Sequence, residues 1–157
     1  MTATFARPPL AAATPTAAVG ALRAHGLRVS AARRLVLEAL YASEGPVSAE
    51  EIAGGLHGQL PPSDLASVYR NLETLETVGL VQHVHLGHGP GLYALAGRHR
   101  GWAVCEVCGA CVTLDAVASA DVREAVERAI GFEAHFSHFP IVGVCAGCRY
   151  GGTHAHP

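Results

Sequence analysis

The sequence predicts an α+β protein made of two small units in series. Two observations lead there. Residues 1–100 read as short amphipathic helices followed by a hairpin, and the rest as an apolar β-α-β stretch carrying two CxxC pairs. At 157 residues, half of them apolar, the chain has enough material to bury a core.

In the first part, AVGALRAHG (18–26) has helical spacing and closes at Gly26, a natural C-cap. Ser30 can N-cap AARRLVLEALYA, in which Leu35, Leu37 and Leu40 are apolar, and SEGP ends that helix. Ser48 and Glu51 fit the S-x-x-E capping box of a third helix, SAEEIAGGL. After the turn GQLPP, Ser63 or Asp64 opens a fourth, LASVYRNLETLETVG, closed by Gly79. Its Leu65, Val68, Leu72 and Leu75 form a buried stripe, with Ser67, Arg70, Asn71 and Thr74 facing the other way. LVQHVHL and PGLYALA then read as strands joined by GHGPG. Helices followed by a hairpin is the order of a winged helix-turn-helix, in which the last helix enters a DNA groove. An ordinary amphipathic surface helix is the alternative reading of the same pattern.

After residue 100, WAVCEVCGACVTLD is β-rich around a CxxC turn. ASADVREAVERAIG is a helix, capped near Ser119 and ended by Gly131, and FEAHFSHFPIVGVC is an extended apolar run into the second CxxC. Two residues between cysteines let both thiolates converge on one ion. Cys105, Cys108, Cys145 and Cys148 together supply the closed tetrahedral set of a structural zinc site. Such an ion would staple the two ends of a small domain and supply roughly 10 kcal/mol or more of folding free energy. A redox dithiol is the rival chemistry. Cys111 reads as a buried strand cysteine.

Charge narrows the class of partner. The net charge is −2, which is not that of a bulk nucleic-acid binder. Residues 1–100 nonetheless hold eight of the eleven arginines against seven acids, while residues 101–157 hold three against six. A local basic face therefore belongs to the first part. No apolar run approaches a membrane span, and MTATFARPPLAAATPTAAVG lacks the apolar core of a signal peptide, so a cytoplasmic protein is expected. No H-x-E or HExxH pattern and no nucleophile–base pair suggests an enzyme.

Ten histidines is high for this length. His83 and His85 sit one residue apart on a strand, so their rings share a face, a geometry suited to zinc, nickel or copper; a merely polar wing face is the alternative. His88 follows in the turn. His138, on the apolar run FSHFP, is either a ligand or a hydrogen-bonded core histidine. His25 and His57 precede glycines at helix ends, where a cation suits the dipole. His154 and His156 read as tail.

The run LASVYRNLETLETVGLV, the wing, CEVCG and CAGCR, in this order over residues 17–148, resemble the ferric uptake regulator family of metal-responsive, homodimeric bacterial repressors. HVHLGHG and SHFPIVGVC are most similar to its nickel-responsive actinobacterial branch. The resemblance implies a sensing site of His83, His85 and His138, holding nickel or zinc, with His99 and His88 as possible additions. It also implies DNA contacts from Ser67, Tyr69, Arg70 and Asn71, and from Arg33 or Arg34 near the backbone of a palindromic operator. The expected organisation is a disordered tail over 1–16, a winged-helix DNA-binding domain over 17–96 and a hinge over 97–100. A dimerisation and zinc-binding domain over 101–150 and a disordered tail over 151–157 complete it. Where the family carries a histidine-rich run before the first CxxC, this chain has GRHRGWAVC, with only His99. A redox- or peroxide-sensing repressor of the same family, and a zinc-stapled interaction module without metal sensing, remain as alternatives.

Overall fold

The computed structural model describes residues 10, 12–87, 89–97, 101–136 and 138–151. It divides into two compact units, one of residues 1–83 with 91–98, the other of 84–90 with 99–157. The α+β class and the four-cysteine cluster are as the sequence predicts. His88 and His99, most of the expected hinge, residues 1–9 and 11 of the first tail and residues 152–157 of the second lie outside the described residues.

The first unit is built by capped helices. Helix α1 (Pro15–Ala24) starts with Thr14 Oγ1 accepting the Ala17 N–H and with Pro15 in the first turn, where a missing N–H costs nothing. Helix α2 (Ala31–Ala42) is capped by Ser30, as expected. Helix α3 (Ala49–Ala53) has both halves of the Ser48–Glu51 capping box. It stops short of the predicted end because the chain turns left-handed. A Cβ on Gly55 would collide with the Leu60 carbonyl oxygen, so only glycine fits at its φ of +78°. Leu56 and His57 follow with positive φ in a single turn, α4 (Gly55–Gly58), so His57 is a turn residue rather than a helix terminus. Asp64 caps α5 (Leu65–Thr77), its carboxylate accepting the Ser67 N–H at 2.8 Å, which decides between Ser63 and Asp64.

Strands β1 (Val47–Ser48), β2 (Val81–Val84) and β3 (Leu92–Leu95) form a sheet in the order β1-β3-β2. β1 is too short to show a period in the sequence, which gives no sign of it; Val47 pairs with Tyr93. The core gathers Leu22, Val36, Leu37, Leu72, Leu75 and Leu80 from the helices and the α5–β2 turn. Leu65, expected in the stripe, is 39% exposed because it opens α5 beyond the edge of that core. Asn71, expected on the outward face, is 7% exposed and buried. Ahead of α1, the Leu10 N–H donates to the Gly79 carbonyl and Tyr41 donates to the Ala12 carbonyl, so these two residues pack on the core.

In the second unit, β4 (Trp102–Cys105) pairs antiparallel with β5 (Cys111–Thr113) and parallel with β6 (Ile141–Gly143). The parallel pair needs a crossover, which α6 (Ala116–Ile130) supplies. The α6 cap is Asp115, whose side chain accepts the Ala118 N–H at 2.8 Å, one turn ahead of the expected Ser119. Ser119 is instead fully buried within the helix. Gly131 ends α6 in the left-handed conformation, as its position predicts. Cys111 is exposed rather than buried, because β5 is an edge strand with all three residues exposed. No helix among the described residues is long and apolar enough to cross a membrane.

Candidate metal centre and nucleic-acid interface

The second unit brings its cysteines together through strand register. Cys105 ends β4 opposite Gly143 of β6, so Cys145 arrives two residues beyond the pairing. The Gly109 N–H donates to the Cys105 carbonyl and the Cys105 N–H to the Ala110 carbonyl, closing the first CxxC turn. Cys145 in turn caps the short helix α7 (Ala146–Arg149), which carries Cys148. The four Sγ atoms lie within 4.8 Å of one another, and Cys108 Sγ stands 3.8 Å from Cys145 Sγ. Tetrahedral zinc with Zn–S of about 2.3 Å requires sulfurs about 3.8 Å apart. None of the cysteines is in a disulfide.

The donor chemistry agrees with a cation. The Cys145 and Cys108 backbone N–H groups hold the Cys105 thiol down at about 6. Desolvation and the neighbouring sulfurs push Cys148 up to about 12. One thiolate is stabilised by the backbone, and a full set of four needs an ion at their centre. The residues therefore fit zinc, and this is the one cluster of three or more metal-ligating side chains among the described residues.

The predicted sensing histidines divide between the units. His85 and His138 meet in the second, with ring centroids 5.2 Å apart, edge to face, and the His85 N–H donating to the His138 carbonyl at 3.2 Å. Phe139 stacks on the His85 ring at 5.9 Å. Both histidines are exposed. His83 belongs to the first unit, its ring stacked on Tyr93 at 4.8 Å and 11°. A Cβ on Gly91 would run into His83 Nε2. Tyr93, Phe139 and Gly91 were not picked out from the sequence, since an aromatic in a strand signals only core.

On α5, Tyr69 and Arg70 are exposed and Ser67 is half-buried. The Tyr69 hydroxyl donates to Glu50 of α3 at 2.9 Å, and this bond, with desolvation and the carboxylate's charge, raises the tyrosine above its usual range. Arg70 lies 3.9 Å from Asp64, both exposed, a pair of little energetic weight. Arg34 is exposed, whereas Arg33 is half-buried and bonded to Asn71 and to the Arg28 carbonyl. Nothing in the sequence had singled out Glu50 beyond its place in a helix.

The model of the ferric uptake regulator family matches residues 24–139. The chain belongs to the ferric uptake regulator family. Members are metal-responsive transcription regulators, not enzymes, and bind DNA as dimers. Among relatives, the chain is 28% identical over 137 residues to the peroxide operon regulator of Bacillus subtilis, covering 87% of this chain and 94% of that protein. It is 24% identical over 135 residues to a peroxide-responsive repressor of Staphylococcus epidermidis, covering 86% and 90%. Its fold is similar to that of the Pseudomonas aeruginosa ferric uptake regulator with manganese, with a TM-score of 0.62, 28% identity and coverage of 81% and 96%. The Vibrio cholerae ferric uptake regulator matches with a TM-score of 0.60, 28% identity and coverage of 82% and 99%. These relatives are named for peroxide or ferric uptake, so the comparisons carry the family and not its nickel-responsive branch.

Proposed function

We propose that the protein is a cytoplasmic, homodimeric, metal-dependent repressor of metal-homeostasis genes. Zinc on Cys105, Cys108, Cys145 and Cys148 is its structural ion. Nickel or zinc on His83, His85 and His138 is its signal, with His88 and His99 as candidate further ligands. The observation that carries the sensing part is the edge-to-face meeting of His85 and His138, two imidazoles from distant parts of the sequence within reach of one ion. Ser67, Tyr69 and Arg70 supply the DNA-reading face, and Arg33 and Arg34 face the phosphate backbone. Nine large apolar or aromatic side chains exposed among the described residues of the second unit, Val112 and Val142 among them, suit burial against a second copy. A dimer presents two reading heads, which matches a palindromic operator. Metal acts by favouring the DNA-competent state, so metal and DNA tighten each other by one factor.

The test is binding of the zinc-stapled protein to a duplex from the promoter region of its own gene, with nickel and then zinc titrated at fixed salt. A tightening of about tenfold with one metal, roughly 1.4 kcal/mol of coupling, identifies the signal. Tight binding indifferent to both metals removes the sensing part. A second reading, favoured by the two peroxide-regulator relatives, is a repressor released by oxidation at its metal centre or cysteines. Loss of DNA binding on adding peroxide at fixed metal, with oxygen added to a histidine or cysteine, selects it.

A further inference from the structure

We infer that Asn71, although it lies on the DNA-reading helix, is a positioning residue that holds the Arg33 guanidinium for the DNA backbone instead of reading bases itself. The inference rests on the DNA-binding reading above and adds a residue role to it. Asn71 is buried, and both ends of its amide are used. Its Nδ2 donates to the Ser67 carbonyl at 2.9 Å, and its Oδ1 accepts the Arg33 Nε–H at 3.0 Å. Flipping the amide would set donor against donor at Arg33 and acceptor against acceptor at Ser67, so the network fixes its orientation. Arg33 Nη1 also donates to the Arg28 carbonyl. The guanidinium is thus pinned at two points, on two neutral acceptors.

Three further facts give that pinning a purpose. No carboxylate among the described residues forms an ion pair with Arg33, so its charge is not neutralised. Its Nη2 makes no hydrogen bond to another described residue, leaving one arm of the fork open. Arg33 is the third residue of α2, at the end of the helix where the dipole opposes a cation. A half-buried cation held still, unneutralised, at an unfavourable helix end is poorly explained as a tie between α2 and α5. An anion from outside, a DNA phosphate, completes it. Because Asn71 follows Arg70 on α5, the phosphate clamp and the reading face then move as one body, which keeps register on the duplex.

The experiment uses the full zinc-loaded chain and a random-sequence duplex, whose binding counts phosphate contacts without needing the operator. Dissociation constants are measured against salt for wild type, Arg33→Ala, Asn71→Leu and the double variant. Asn71→Leu keeps the buried volume, and Asn71→Ala is the second variant should leucine not pack. Arginine Nε–H signals are followed by NMR in each. The expected result is an Arg33 Nε–H signal that is protected in wild type and lost without Asn71. Both single variants weaken binding by about fivefold or more and flatten the salt slope by roughly one per DNA-binding unit. The double variant matches Arg33→Ala. An Asn71 variant that still weakens binding in the Arg33→Ala background, or leaves slope and Nε–H protection unchanged, overturns the inference while DNA binding stands. Failure of the wild type to bind any duplex overturns the DNA-binding reading and this inference with it, even if the Nε–H signal behaves as expected.

Discussion

The two units are stabilised in different ways. Among its described residues, the first buries Leu22, Leu37, Leu72 and Leu75 completely and exposes only Leu65 and Tyr69 of its large apolar or aromatic side chains. Among its described residues, the second buries Val84, Trp102, Val104, Cys105 and Ala134, and exposes Val107, Val117, Ile130, Phe132, Phe139 and three more besides Tyr150. The first has a core of its own. The second has a small sheet, a four-sulfur cluster and an apolar surface that a partner copy would cover. Metal removal is therefore the treatment with the largest expected effect, and it should be confined to one unit. The chain has a single tryptophan, Trp102, fully buried in the second unit. Stripping zinc with a chelator, or Cys105→Ser, removes a contribution on the order of 10 kcal/mol. Trp102 emission should shift to the red while most helical circular dichroism persists. An unshifted Trp102 in metal-free protein would show that the sulfur cluster is not what holds this unit.

The converse perturbation targets the first unit. Leu72→Ala leaves a cavity between α5 and the helices it packs on, at a cost of about 2–5 kcal/mol. Thermal melting followed by circular dichroism should fall, while zinc content and Trp102 emission at low temperature stay at their native values. A third change separates sensing from folding. His138→Ala touches neither the core nor the sulfurs, so the fold and the structural zinc should survive. The metal-induced tightening on promoter DNA should drop from about tenfold to none, a loss of roughly 1.4 kcal/mol. Full metal response in His138→Ala would refute the proposed ligand set.

What was legible in the sequence follows the same division. Ser30, Ser48 with Glu51 and Asp64 announce helix starts through local hydrogen bonds, and the structure repeats them. The CxxC pairs announce their cluster because the spacing is itself the geometry. Tertiary facts were not legible. Asn71 looks like any outward polar residue in LASVYRNLETLET, and only its burial against Arg33 shows otherwise. Cys111 reads as a core strand residue because its neighbours are apolar, yet that apolar surface is exposed on an edge. The Asp115 cap was missed because Ser119 sits closer to the charged part of the helix, while Asp115 follows directly on a strand. Asp115→Ala should therefore cost about 1 kcal/mol and show as faster amide exchange in the first turn of α6. The corresponding change at Ser119 should act through lost burial and leave that first turn protected.

The smallest expected effect probes His83, the one sensing candidate placed in the first unit. Its ring is held by stacking on Tyr93 and by the absence of a side chain at Gly91. The φ of Gly91 is not in the left-handed region, so the backbone itself tolerates alanine there. What alanine changes is the space occupied by His83 Nε2. The ring must leave its stacked position by rotating about its own bonds, a displacement worth about 0.5 kcal/mol for a side chain moved modestly off its rotamer. Gly91→Ala should therefore preserve the melting temperature, zinc content and metal-free DNA binding, while weakening the metal-induced gain roughly two- to threefold. That graded loss, set beside the complete loss in His138→Ala, would support His83 as a ligand of the sensed metal. If Gly91→Ala responds to metal as wild type does, the orientation of His83 is irrelevant to sensing. The ligand set would then contract to His85 and His138 with donors from outside the described residues.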